Sequence, residues 1–303
     1  MFLLFLGAMI ISFAPILVKA IQLPPSWSAS GRLCMAVFLL GFILLIKFIL
    51  NAKAFKASLK TLKPSLLLLM GAGLFLGIDL FFWHRSIHYV GAGIATILGN
   101  TQVLFLTLWT TIETRKRPSL QFLVATLLAL IGLVLLVDFH GNQLKDNYGW
   151  GVLFGLLTGV TYAVFLLMLR KAGLRAPTIP ITLRLFVFSA VGAIYLLTIS
   201  LVTERLPTWT LRDLGLLFLL GGVVHIGGWT IISKNLPKVS AAKAGLVLLA
   251  QPVLATLLGW IFFKEHLDPL QIVGMATTLA AIYLGGSESS KDQYGKRAPN
   301  MTN

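Results

Sequence analysis

The feature that most constrains the fold of this chain is a series of long apolar blocks joined by short polar links. Each block has roughly 18 to 24 residues, enough for a helix rising 1.5 Å per residue to cross a hydrocarbon core about 30 Å thick. A membrane β-barrel would instead show strands of about 10 residues with alternating polarity. The sequence therefore predicts an all-α membrane protein with ten transmembrane spans, over residues 2–22, 29–50, 65–84, 91–112, 119–137, 148–170, 180–202, 211–233, 239–262 and 268–285.

Composition agrees with a membrane protein, because 12% of the residues are charged against about 25% in soluble domains. The first block begins MFLLFLGAM without a basic segment before it, so we interpret it as a retained helix rather than a signal peptide. The single Cys34 excludes an internal disulfide and an all-cysteine metal site. We expect neither a metal nor a cofactor.

The net charge of +15 is distributed by membrane side. If the N-terminus is cytoplasmic, the links and tail on that side carry fifteen basic residues: Lys53, Lys56, Lys60, Lys63, Arg115, Lys116, Arg117, Arg170, Lys171, Arg175, Lys234, Lys238, Lys291, Lys296 and Arg297. The opposite side carries five: Arg85, Lys145, Arg205, Arg212 and Lys264. Because short basic loops stay in the cytoplasm, we expect an inner-membrane protein with both termini cytoplasmic and no nucleic-acid partner.

The two halves of the chain resemble each other. A shift of 149 residues aligns span four with span nine and pairs Val90 with Val239, Gln102 with Gln251, and Thr107 with Thr256. A shift of 152 pairs Lys19 with Lys171 and Arg32 with Arg184. Each half holds five spans, and because five is odd the second half enters the membrane from the opposite side. Such inverted repeats are typical of transporters whose halves rock around a midplane site.

We therefore predict two inverted-topology five-helix repeats, over residues 1–140 and 146–286. The polar segment from residue 287 to 303 is predicted to be a disordered cytoplasmic tail.

Two segments resemble a known family. SIHYVGAGIATILGNTQVLFLTLWTTIETRKRPSLQFLVATLLALIGLVLL in the first half is echoed by SKNLPKVSAAKAGLVLLAQPVLATLLGWIFFKEHLDPLQIVGMATTLAAIYLGG in the second. Over residues 2–286 the chain resembles the paired EamA repeats of the drug/metabolite transporter superfamily. The resemblance implies a cavity surrounded by spans one, three, four, six, eight and nine. The substrate-binding candidates that it implies are Ser12, Trp83, Tyr162, His225 and Trp229.

Amide side chains lie near the middle of spans four and nine. Asn100 and Gln102 are about 10 residues into span four, so roughly 15 Å from its outer end, and Gln251 is at a similar depth in span nine. These amides either line a polar cavity or join helices through hydrogen bonds, which average about 0.6 kcal/mol in membranes. Pro252 follows Gln251, whereas Val103 stands at the equivalent place in span four.

Asp79 is the one carboxylate well inside a predicted span, and ionisable groups there are by default functional candidates. It lies four residues before Trp83 and so shares a helix face with it. Asp79 is a candidate for binding an ammonium group, and with His225 for carrying a coupling proton; a structural ion pair or cap is the alternative. His84 and His88 have a metal-ligand spacing, but no third ligand accompanies them, so solvated interfacial histidines are favoured.

Three further basic residues lie close to span ends. Lys243 lies about one turn inside span nine and is predicted either to extend to the inner interface or to contact an anion or carboxylate at the cytoplasmic mouth. Arg32 and Arg184 occupy equivalent places at the start of spans two and seven. We expect both arginines to be interfacial anchors.

The function that this pattern favours is secondary active transport, by alternating access and in the outward direction, of a small metabolite such as an amino acid or another amine- or ring-bearing compound. The chain has no GxxxxGK[ST] motif for ATP. Its expected partners are the substrate, membrane lipids and, as a candidate, protons, with the chain a monomer or homodimer. The alternative is an intramembrane enzyme acting on a lipid or lipid-linked substrate, with Asp79, His84 and His88 as acid, base or ligands.

Overall fold

The computed structural model describes residues 1–136, 147–264 and 267–287. The predicted repeat boundary at 140–146 and the tail beyond Ser287 lie outside these residues. The α-helices are α1 (Phe2–Ile11), α2 (Ala14–Ala20), α3 (Pro25–Leu50), α4 (Ala52–Leu62), α5 (Leu66–Asn100), α6 (Gln102–Thr114), α7 (Leu120–Leu135), α8 (Tyr148–Arg175), α9 (Ile181–Thr203), α10 (Leu211–Phe218), α11 (Gly228–Asn235), α12 (Ala241–Leu248), α13 (Ala250–Phe263) and α14 (Pro269–Ser287). A π-helix, Leu219–Gly227, joins α10 to α11.

The prediction of an all-α membrane protein is confirmed. Within the described residues, eight helical stretches are long and apolar enough to cross a bilayer, and Leu120–Leu135 is a shorter apolar helix. The remaining predicted span, span four, is divided between α6 and the end of α5, which is kinked at Gly91 with a φ of 80°. Large apolar side chains such as Phe38, Ile49 and Leu67 are exposed on the outside, as expected of a surface that faces lipid.

Two equivalent spans are broken near their middle. Span four is interrupted at Thr101, between α5 and α6, and span nine at Leu249, between α12 and α13. The second segment of each span ends at a residue in the left-handed region, Arg115 and Lys264, both with φ of 53°. These two residues are 149 positions apart, which is the offset of the sequence repeat.

The link between spans two and three contains an amphipathic helix that the sequence analysis treated as a loop. Asn51 caps α4 by accepting a hydrogen bond from the N–H of Ala54 at 2.9 Å. Phe55 packs on Phe48 at the end of α3, with ring centroids 5.6 Å apart. The lysines of α4, such as Lys56, are exposed. This arrangement is typical of a helix that lies along a membrane surface.

Glycines fix the position of span four against span six. Gly151, Gly155 and Gly159 recur every four residues on α8 and face the second half of α5 and the break at Thr101. A Cβ atom on Gly155 would lie 2.6 Å from Leu98, so a side chain there has no room. Small residues at this spacing let helix backbones approach closely, and the approach places the polar end of α5 beside α8.

Candidate functional site

The central feature of the helix bundle is a cavity between spans one, two, three, four, six, eight and nine. Its volume is about 100 Å³, against roughly 10–15 Å³ for one water molecule on the same measure. The cavity therefore has room for several waters or for a small polar molecule. Six of its seven spans are those that the family resemblance implied, and span two is the addition.

Seven of the predicted site residues line this cavity: Ser12, Asp79, Trp83, Asn100, Tyr162, Trp229 and Gln251. The local helix structure explains their positions. Ser12 lies at the break between α1 and α2, and Asn100 at the break of span four. Asp79 and Trp83, one turn apart on α5, share the face toward the cavity. Trp83 therefore lies on the cavity wall.

The residue that the sequence analysis missed is Arg32, which lines the cavity and is 4% exposed. The expectation that it is an interfacial anchor is wrong, because α3 begins at Pro25, four residues before the predicted start. Arg32 is thus the eighth residue of the helix, about 10 Å from its end at 1.5 Å per residue. A proline at the first helical position indicates the start of a helix, and in the sequence Pro24 and Pro25 mark this start.

Arg32 and Asp79 place one basic and one acidic group on the cavity wall. Both are buried, with Asp79 6% exposed. Within the described part of the chain, neither Arg32 Nε nor Asp79 Oδ1 has a hydrogen-bond partner. Buried polar atoms are ordinarily paired, so these two groups retain capacity for a bound molecule of matching charges.

Uncharged polar groups line the wall beside this pair. Gln251 Nε2 donates a hydrogen bond to Tyr162 Oη at 3.3 Å, between spans nine and six. Asn100 Nδ2 donates to Thr96 O at 2.8 Å, one turn back in its own helix, so its side-chain oxygen is not engaged by that bond. These amides and the tyrosine hydroxyl can recognise a hydroxyl or another neutral polar group.

Aromatic rings form one wall of the cavity. Trp229 is 2% exposed and lies edge-on to Tyr162, Phe165 and Phe188, with ring centroids 6.4, 4.8 and 6.4 Å apart. Its Nε1, like Arg32 Nε, has no partner within the described residues. The cluster gives an apolar surface with one free donor, and it fixes the tryptophan ring by packing.

Three predicted site residues do not line the cavity. Gln102 is fully buried, and its Nε2 donates to Gly245 O in α12 at 3.2 Å. His225 is fully buried in the π-helix and shares a hydrogen bond of 2.9 Å with Ser189 Oγ of α9. Lys243 is 5% exposed within α12, which differs from the predicted interfacial position.

The comparisons with known proteins agree with this architecture. A model described as the EamA-like transporter family matches residues 1–138 and 149–285. The chain belongs to this family. The two matched segments correspond to the two halves of the chain, and the protein is a multi-pass membrane transporter.

Individual relatives also carry transporter names. The chain is 28% identical over 222 residues to the "Uncharacterized transporter YwfM" of Bacillus subtilis (strain 168), covering 72% of each chain. It is 30% identical over 246 residues to the "Threonine/homoserine exporter RhtA" of Salmonella typhimurium (strain LT2), covering 80% of this chain and 77% of the relative. A crystal structure matches 94% of this chain and 96% of its own with a TM-score of 0.74 and 16% identity, which shows the fold. The names point to a transporter and not to the lipid-directed enzyme.

Proposed function

We propose that this transporter exports a small zwitterionic amino acid by alternating access around the central cavity. The observation that carries the proposal is the placement of two buried groups, the guanidinium of Arg32 and the carboxyl of Asp79, on the cavity wall with unpartnered atoms. The name of the relative RhtA, a threonine/homoserine exporter, supports the same class of substrate.

Each charge has a complementary group in an amino acid. The guanidinium of Arg32 matches the substrate carboxylate, because arginine and carboxylate form paired, charge-assisted hydrogen bonds. The carboxylate of Asp79 matches the substrate ammonium. A molecule with one of these groups alone would leave the other protein charge uncompensated, and an unpaired buried charge costs about 2–5 kcal/mol.

The rest of the cavity matches a short polar side chain. Asn100, Gln251 and Tyr162 offer amide and hydroxyl groups to a substrate hydroxyl. Trp229 supplies an apolar wall for the substrate carbons. A small zwitterion with a hydroxyl therefore suits the cavity better than a large apolar compound.

Coupling and orientation complete the proposal. Of the two predicted proton carriers, Asp79 faces the cavity and His225 does not. A proton and the substrate ammonium would compete for the Asp79 carboxylate, which is the requirement for exchanging one for the other. The two inverted repeats, residues 1–140 and 146–286, would supply the inward- and outward-open states, with both termini cytoplasmic in an inner membrane.

The test compares threonine with two analogues that each lack one charge. The analogues are 1-aminopropan-2-ol, without the carboxylate, and 3-hydroxybutanoate, without the amine. Binding to the purified full chain is measured by calorimetry for the native protein, Arg32→Gln and Asp79→Asn. The control is Lys47→Gln, which removes an exposed charge from the same helix as Arg32.

The native chain should bind threonine about 10- to 150-fold more tightly than either analogue, since a charged hydrogen bond contributes about 1.5–3 kcal/mol. Arg32→Gln should lose the preference over 1-aminopropan-2-ol, and Asp79→Asn the preference over 3-hydroxybutanoate. Lys47→Gln should behave as the native chain. If both charge variants keep the native ranking, the assignment of the two charges is wrong. Efflux of labelled threonine from proteoliposomes, accelerated by unlabelled threonine on the other side, tests alternating access.

A further inference from the structure

A second cavity, of about 620 Å³, lies at one end of the bundle, where α8 and α11 end and α9 begins. It is separate from the central cavity and shares no lining residue with it. The distribution of basic residues predicts that this end is on the cytoplasmic side. Three basic residues line it, Arg184, Lys234 and Lys238, and no acidic residue is among its described lining residues.

Arg184 is the buried basic residue of this cavity, and hydrogen bonds hold it in place. It is 4% exposed, so its guanidinium is fixed inside the protein rather than free in solvent. Nη1 donates to Ser233 O at 3.1 Å, and Nη2 donates to Ala176 O at 3.4 Å. Nε has no partner within the described residues. The bonds that hold the group are made to neutral carbonyls, so they orient the positive charge without neutralising it.

The backbone around Arg184 leaves space for this arrangement. A Cβ atom on Gly173 would lie 3.2 Å from Arg184 Nη1 and would contact Pro237 still more closely. A glycine at this place therefore lets α8 pass beside the guanidinium. Sequence analysis placed Arg184 at the interface as an anchor, whereas its side chain is buried and lines this cavity.

Two lysines extend the positive charge to the edge of the cavity. Lys238 Nζ donates to Asn235 Oδ1 at 3.0 Å, which fixes it at the end of α11. Lys234 is exposed. Ile181, the first residue of α9, also lines the cavity, and the first turn of a helix favours anions. The three side-chain charges and the α9 dipole are positive toward the cavity, whereas the C-terminal ends of α8 and α11 contribute partial negative charge.

The remaining wall is apolar. Leu174, Ile179 and Ile181 line it together with two prolines. A free inorganic anion would gain nothing from contact with this apolar surface, whereas the glycerol and upper acyl carbons of a lipid would cover it. Basic pockets between membrane helices on the cytoplasmic side bind anionic lipid headgroups by this combination.

We propose that this cavity binds a phosphate group, held by Arg184, Lys234 and Lys238, and that the phosphate belongs to an anionic phospholipid of the surrounding leaflet. The inference does not rest on the proposed amino-acid substrate. It adds a specific lipid site to a protein whose established property is transport.

The test measures binding of phosphatidylglycerol and phosphatidylcholine of the same acyl chains to the full chain in neutral detergent, by native mass spectrometry. The site variant is Lys234→Gln/Lys238→Gln. The matched control is Lys56→Gln/Lys60→Gln, which removes two exposed lysines from α4 at the same end. Arg184→Gln is a third variant, and because it can disturb folding the lysine variant decides the outcome.

The native chain should retain phosphatidylglycerol in preference to phosphatidylcholine. The site variant should weaken that binding about fivefold for each lysine removed, since a basic residue near an anionic lipid contributes about 1 kcal/mol, and the control should stay within about twofold. If inorganic phosphate raises the unfolding temperature above that in chloride of equal ionic strength, and only when the site lysines are present, the phosphate alone is the ligand. An equal loss of phosphatidylglycerol binding in the control and site variants would overturn the proposal. So would a chain that prefers neither phosphatidylglycerol over phosphatidylcholine nor phosphate over chloride.

Discussion

Gln102 and Gln251 occupy equivalent positions in two broken helices, and the structure uses them differently. Gln102 is fully buried between helices and bonds to Gly245 O. Gln251 lines the cavity and bonds to the Tyr162 hydroxyl. Two residues that a sequence repeat pairs can therefore divide between helix packing and the cavity wall.

The reason for the difference lies at the break in span nine. There the N–H of Leu249 bonds to Leu246 O rather than continuing the i to i−4 pattern to Gly245 O. Gln102 donates to that freed carbonyl from span four. A helix break within a membrane is tolerated where a neighbouring side chain satisfies the freed backbone group. Gln251 has no such task at the break in span four and is available to the cavity.

The largest predicted effect concerns the break in span four. A Cβ atom on Gly159 would clash with the Thr101 hydroxyl and lie 3.0 Å from Leu98 O. We expect Gly159→Ala to lower the free energy of unfolding by about 1–3 kcal/mol, the usual cost of overpacking. The measurement is denaturant unfolding in detergent. Gly149→Ala on the same helix has nothing within 4 Å of the new Cβ and should be neutral or slightly stabilising; equal losses in both variants would contradict this packing.

The second prediction separates the two glutamines directly. Gln102→Leu should lower the unfolding temperature, because it leaves Gly245 O unsatisfied, while threonine affinity of the folded protein stays within about twofold. Gln251→Leu should weaken threonine binding about two- to tenfold, from a hydrogen bond of about 0.5–1.5 kcal/mol, at nearly native unfolding temperature. Calorimetry and thermal unfolding of both variants give the comparison. If both variants changed the unfolding temperature and the threonine affinity equally, the two amides would have the same role.

The smallest predicted effect concerns Pro252, the residue that distinguishes the two breaks in sequence. Span four breaks with Val103 at the equivalent position, so the proline is not required for the break. Pro252 lies in the first turn of α13, where a missing N–H costs little. We expect Pro252→Ala to lower the free energy of unfolding by less than about 1 kcal/mol, chiefly through the unfolded chain. A loss of several kcal/mol in denaturant unfolding would show that the proline itself creates the break.

Much of the cavity was predictable from local features. Asp79 and Trp83 share a helix face by their spacing, and Gln251 was found from its depth in an apolar span. Arg32 was missed because its distance from the helix end depends on where α3 begins. The family resemblance implied a cavity position for His225, but this residue lies in the π-helix, Leu219–Gly227, and does not line the cavity.

The sequence by itself determined the solvent and the all-α membrane fold of about ten helices, because the length of apolar segments is a property of residue order. Only the tertiary structure decided which polar side chains meet. Which of two equivalent amides faces the cavity depends on a carbonyl freed in another helix. The role proposed for Arg32 likewise depends on Asp79, which lies on a neighbouring span. Contacts between distant helices are set by packing of the whole bundle, and a single span does not encode them.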